Sequence, residues 1–253
     1  MFRLFQLKKI KKFLILLAAV LTVPLAGASF AAEWNLDGSP ADRGKIRKIV
    51  EVFKQGDVEH IFDENGRKIL RTFPDSKSGK KVEYRMTYDS KGRLSQVECF
   101  IDGKKVSVEK GVYDDDGFLR SIVCYDAGMK ELFSTTMLVY DEKSRLLKMY
   151  GVQTPDGIFD YYYRRNKAGQ IVYVRCMVKN KLASAANYLY DANGMLSEVR
   201  RFNERMQNSG ILRNSWKLDK NGNWTEKKSF LYATFAKRAV FGEIVTRKIE
   251  YVK

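Results

Sequence analysis

A chain of 253 residues with a formal charge of +16 and 45% hydrophobic residues has room for one large domain or two small ones. Three cysteines are too few for a disulfide-stapled scaffold, so core burial has to supply the stability. After the N-terminal region no segment approaches the ~18 continuous apolar residues of a membrane-spanning helix, which predicts a soluble mature chain.

Residues 1–31 read as an export signal. Lys8, Lys9, Lys11 and Lys12 form a basic start, Phe13 to Val23 an apolar run too short to span a bilayer comfortably, and Ala26 to Ala32 a stretch of small residues suited to cleavage after Ala28 or Ala31. An uncleaved anchor is the alternative. Five of the sixteen excess positive charges lie in this segment. From Ala32 to Phe159 the charges balance, with 22 Lys plus Arg against 22 Asp plus Glu, whereas from Asp160 to Lys253 there are 19 against 8. That asymmetry points to an anionic partner on the C-terminal side, or to a solvated basic face.

After an N-terminal segment, 32–57, the chain repeats itself. FDENG, YDSKG, YDDDG, YDEKS, RNKAG, YDANG and LDKNG align on Gly66, Gly92, Gly117, Ser144, Gly169, Gly194 and Gly222, at spacings of 26, 25, 27, 25, 25 and 28 residues. A partial eighth copy opens at Gly44, with Ile46 and Ile49 where later copies carry an apolar pair. Each copy predicts a β-hairpin. The Asp caps a type I turn, the Gly takes the left-handed conformation of a three-residue loop, and the Tyr before the Asp faces the residue two after the Gly. Tyr88 is therefore expected opposite Leu94, Tyr113 opposite Leu119, Tyr140 opposite Leu146 and Tyr190 opposite Leu196. Met86, Leu138, Tyr163, Tyr188 and Trp216 continue the same face at a period of two, and the shift to Val97 and Ile122 after the Gly implies a bulge in the returning strand. Turn-rich connections such as IDGKK join each hairpin to the next.

Tyr88-Asp89-Ser90-Lys91-Gly92-Arg93-Leu94 with Val97 resembles the recurring phrase of bacterial YD-repeat (Rhs-type) sequences, and the resemblance runs over about 58–230. The family implies an extended β-rich sheet or shell. The expected fold is thus all-β: about seven antiparallel hairpins in an extended, twisted or curved meander sheet, closed by capping strands over 231–253.

Cys99, Cys124 and Cys176 each fall seven residues after a repeat glycine. Equivalent strands of successive hairpins lie about 9.5 Å apart, beyond disulfide reach, so three free, buried thiols are expected. The sole histidine, His60, occupies the slot of Met86 and Leu138 and reads as packed; a lone general base is the lesser reading. Asp114-Asp115-Asp116-Gly117 lacks the ligand spacing of a calcium loop. No metal or other cofactor is implied.

The directional feature is a column six residues after the glycine. It holds Glu98 and Val123 in early copies but Arg175, Arg200 and Lys228 in late ones, with Arg164, Arg165, Arg201, Lys217 and Lys227 flanking and Tyr161, Tyr162 and Tyr173 nearby. These residues are the candidate anion site. The sequence reads as a non-enzymatic exported binding or scaffold protein of the bacterial cell envelope, periplasmic or secreted, with an anionic polymer or a protein as partner and no nucleic acid. A glycan or cell-wall hydrolase drawing carboxylates from several copies, and an immunity-like partner of a toxin, are the alternatives.

Overall fold

A computed structural model describes residues 44–252, apart from 77, 141–145, 155–156, 234–238 and 240. The signal segment and the Ser144 turn lie outside the described residues. Sixteen strands follow in chain order: β1 Ile46–Val52, β2 Val58–Phe62, β3 Lys68–Pro74, β4 Lys81–Tyr88, β5 Leu94–Ile101, β6 Lys104–Tyr113, β7 Leu119–Asp126 and β8 Glu131–Tyr140. The second half comprises β9 Leu146–Thr154, β10 Gly157–Arg165, β11 Ile171–Val178, β12 Lys181–Tyr190, β13 Leu196–Phe202, β14 Asn208–Leu218, β15 Trp224–Tyr232 and β16 Phe241–Tyr251. Every strand pairs antiparallel with its sequence neighbours, and β1 pairs with β16 to close a barrel.

The phrase repeats because each of its residues holds a joint. In the first complete turn Asp63 Oδ1 accepts the backbone N–H groups of Asn65 (2.9 Å) and Arg67 (2.8 Å), while Arg67 Nε donates to Asp63 Oδ2 (2.7 Å). Gly66 sits at φ +76°, where a side chain would be strained. Asp89, Gly92 and Arg93 repeat the arrangement. The turn arginine then reaches the next hairpin: Arg67 lies 4.9 Å from the Tyr88 ring centroid and Arg93 4.3 Å from that of Tyr113. The tyrosine points back, Tyr88 Oη donating to Lys68 O and Tyr113 Oη to Leu94 O, both at 2.8 Å. Tyr190 bonds Ile171 O in the same way, and Trp216 Nε1 takes the role against Leu196 O at 2.9 Å. Successive copies are stapled along one rim.

The expected pairs of Tyr88 with Leu94, Tyr113 with Leu119, Tyr140 with Leu146 and Tyr190 with Leu196 are present, each beside a bulge. The connections between copies are themselves hairpin turns. Asp102-Gly103 and Lys179-Asn180 adopt positive φ at both positions, as the two-residue type I′ turn requires, so consecutive hairpins pair without a break.

Two expectations are corrected here. The sheet is not an open, curved meander of about seven hairpins but a closed ring of sixteen strands, and the YD-repeat assignment, which implies an extended sheet or shell, falls with it. The physical reason is that the partial copy at Gly44 finds its missing half at the other terminus. Ile46 pairs with Tyr251 as Leu94 pairs with Tyr88, and Val252 N donates to Lys45 O at 2.9 Å as Asp89 N does to Arg93 O. Closure removes the sheet edges that capping strands would have had to protect.

Burial identifies the inner face. Ile49, Val97, Ile122, Met149 and Leu212 are at most 2% exposed and share a face with Tyr84, Met86, Cys124 and Cys176. A round sixteen-stranded barrel would hold a water-filled channel. Exposure this low means that side chains pack over the inner face at these positions. The outer face carries Glu83, Arg85, Glu98, Glu198, Arg200, Arg213, Lys217, Glu226 and Lys228 at mid-strand positions. Lysine or arginine facing lipid at the bilayer midplane costs about 2–4 kcal/mol each. The outer face is thus mixed, with these charges interspersed among exposed Met137, Val139, Leu189 and Ile244, while the inner face is mainly apolar; recurrent mid-strand charge facing outward is unlike a lipid-embedded barrel.

The three cysteines are free and inward, and burial pushes the Cys99 and Cys176 thiols up to about 11. Thiol titration is expected to find three groups after denaturation, and only slow labelling of the folded chain. Removing one rim staple, Tyr190→Phe, is expected to cost about 1 kcal/mol in urea unfolding, because Ile171 O loses its donor.

Candidate functional site: a basic outer face and a buried ionic seam

The sequence-predicted cations divide between the two faces. Arg175 on β11, Arg200 on β13 and Lys228 on β15 all point outward, as do Arg164 on β10 and Lys217 on β14. Arg201, one residue after Arg200, turns inward and is buried, and Lys227 likewise faces in beside Trp216. Arg165 sits at the rim, its Nη1 donating to Gly169 O at 2.8 Å. Period-two alternation places adjacent basic residues on opposite faces, so these eight cations do not form one surface.

The outer cations differ in what they already hold. Glu198 takes Arg200 Nε at 2.6 Å and Arg213 Nε at 3.0 Å; Glu226 takes Lys217 Nζ at 3.0 Å and Lys228 Nζ at 3.5 Å. Partial burial would raise the Glu198 carboxyl, but the two arginines hold it below its ordinary range. Lys217, with Lys228 beside it, does the same for Glu226. Arg175 and Arg164 have no carboxylate partner among the described residues. Each lies over a tyrosine instead, Arg175 at 4.6 Å from the Tyr162 centroid and Arg164 at 5.3 Å from that of Tyr173. Lys148 approaches Tyr162 from β9, at 5.5 Å.

Inside, the seam between first and last strands holds a charge cluster. Arg247 of β16 donates to Glu51 Oε1 of β1 through Nε at 2.9 Å and Nη2 at 2.6 Å. Arg247 also lies 3.8 Å from the Trp224 ring centroid, and Trp224 meets Trp216 edge-on at 5.5 Å. His60 Nε2 stands 3.8 Å from Glu51 Oε2, a charge contact too long for a hydrogen bond. Burial alone would raise the Glu51 carboxyl, but the neighbouring imidazole and guanidinium hold it at about 2. Burial lowers His60 despite Glu51, helped by Lys68 and Arg71, and burial also lowers Lys227. His60 fills its expected packed slot. The pair beside it was missed: Glu51 and Arg247 are 196 residues apart, and neither falls in a repeat phrase.

No family model matches the chain, and no curated protein matches it. Solved structures do. A porin-like protein from Bacteroides uniformis aligns at a TM-score of 0.57 and 10% identity, over 83% of this chain and 99% of that one. A porin-like protein from Bacteroides vulgatus aligns at 0.37 and 11% identity over the same shares, and the Photorhabdus luminescens Tc holotoxin pore at 0.35 and 11%, over 74% of this chain and 12% of that one. The first of these shows a shared barrel fold; the other two are too dissimilar in shape to carry weight.

Two outcomes follow at the seam. A neutral His60 in the fold means that the unfolded chain binds its proton first, so stability is expected to fall as the pH drops below about 6.5. The Glu51 contribution is complete above about 4.5 and is lost as the pH falls towards about 2. Urea midpoints across this range should show both declines, and His60→Leu should remove the first and shrink the second, which Arg247 then sustains alone. Arg247→Ala, which strands a buried carboxylate, is expected to cost about 3 kcal/mol.

Proposed function

We propose that this chain is an exported, non-enzymatic binding or scaffold protein of the cell envelope. It works as a water-borne closed shell whose basic C-terminal outer face holds an anionic partner. The observation that carries the reading is the alternation: apolar side chains pack on the inner face that a pore would leave facing water, and charged residues recur at mid-strand on the outer face that lipid would cover. The porin-like neighbour supports the barrel and an envelope setting for it. The packed inner face speaks against conduction here. Among the described residues every resolved carboxyl shift is downward, which suits paired, ionised acids. A glycoside-cleaving pair needs one acid held protonated.

Fractionation and polyanion binding test the proposal. The protein is expected in the osmotic-shock fluid or the medium, and it should bind dextran sulfate at about 0.05 M salt and release it by about 0.3 M, as screening shortens from roughly 14 to 6 Å. Retention in the outer membrane through alkaline extraction would refute the water-borne shell. Failure to bind any polyanion at low salt would refute the anionic partner.

A further inference from the structure

The outer face of β9 to β13 is organised more finely than a basic surface requires. Tyr162 pairs with Arg175 and Arg164 with Tyr173 across the same two strands, so two tyrosines and two arginines form a checkerboard in which each guanidinium lies over the tyrosine opposite. Lys148 extends the block on one side, paired with Tyr162, and Asn187 on the other, paired with Tyr173 and then with Arg200. The equivalent position in an earlier copy, Glu98, is an anion held by Lys105 at 3.4 Å, and the later ones, Arg200 and Lys228, are shared with Glu198 and Glu226. Within the column Arg175 is the cation without a carboxylate partner among the described residues, and Arg164 beside it has none either.

From this geometry we infer that the checkerboard is a binding surface for an acidic polysaccharide, a chain of sugar carboxylates laid across β9 to β13. This rests on the anionic-partner reading above and names its chemistry. A guanidinium resting over an aromatic ring is partly positioned before a carboxylate arrives, so less freedom is lost when it binds. Its fork of N–H donors matches the two carboxylate oxygens. The tyrosine hydroxyls and the Asn187 amide stand beside the charges as neutral donors and acceptors. A sugar acid uses both kinds of group, charge for its carboxylate and neutral partners for its hydroxyls, whereas a phosphate chain has no hydroxyls to offer them. Strands about 4.8 Å apart set Lys148, Arg175 and Arg200 in a slanted series that one extended chain can follow.

The exported chain should be titrated with polygalacturonate, polyphosphate and neutral dextran at about 0.05 M salt. Polygalacturonate is expected to bind several-fold more tightly than polyphosphate at equal charge, and dextran not to bind. Arg164→Gln with Arg175→Gln should weaken polygalacturonate at least about tenfold, as loss of charge-assisted bonds does. Arg200→Gln with Lys228→Gln should weaken it less than about threefold, because those cations are already shared. Tyr162→Phe with Tyr173→Phe keeps the rings and removes the hydroxyls, and it should weaken polygalacturonate more than polyphosphate, whose oxygens only accept. Unchanged thermal unfolding of each variant separates binding from folding. Equal affinity for the two polyanions with no effect of the tyrosine changes would overturn the saccharide assignment while leaving an anionic partner in place. A loss confined to the Arg200 and Lys228 variant would overturn the location. Absence of binding by every polyanion would remove both this inference and the reading on which it rests.

Discussion

The pairing of β1 with β16 is the constraint on which the rest depends. Each hairpin carries one apolar face and two unpaired edges, and seven in a row would leave an open sheet with a wet apolar side. Joining the split copy, Gly44 to Ile49 from one end with Tyr251 from the other, turns the row into a ring and gives that side an inside. The join is made with more than ladder bonds. Glu51 and Arg247 meet within an enclosed setting under Trp224, where an ion pair contributes only if its geometry is good and each partner keeps the other satisfied. Placed at the seam, such a pair favours the one register in which the two charges meet, since a slip of one residue would turn both to the other face.

Once the ring closes, the alternation decides what kind of barrel it is. Strands with apolar residues outward and polar residues inward make a pore in lipid; these strands do the reverse. The apolar residues of β3 to β10 form one contiguous core, interrupted by the buried Glu109 of β6, and the other buried polar groups gather near the seam and on β12 to β16. The interior is thus mainly hydrophobic on β3 to β10 and more polar towards the seam.

The outer face uses one set of side chains for two purposes. Ion pairs such as Glu198 with Arg200 and Arg213 add little stability at an exposed site, yet they keep the surface charged and discourage pairing with other chains. The same pairing withdraws those arginines from any ligand. Where tyrosine replaces the carboxylate as neighbour, at Arg164 and Arg175, the cation is held in place without being neutralised. The excess charge counted in the C-terminal half becomes a localised feature only through this difference in neighbours.

Much was legible in the sequence because it is written locally. The turn aspartate, the glycine at positive φ, the tyrosine–leucine pairs, the bulges and the inward slots of His60 and the three cysteines all lie within one 25-residue phrase, where spacing alone sets the geometry. Even the partial copy at Gly44 was visible, although its completion by Tyr251 was not. What only the tertiary structure decided is what depends on distant residues. Closure, the enclosure of the inner face, the seam pair 196 residues apart and the sorting of Arg200 from Arg201 all require knowing which strand ends beside which. A repeat specifies its contact with the next copy, and an open sheet and a closed ring satisfy that contact equally well. The choice between them is made by the accumulated twist of sixteen strands and by the two terminal half-copies, neither of which any single phrase contains.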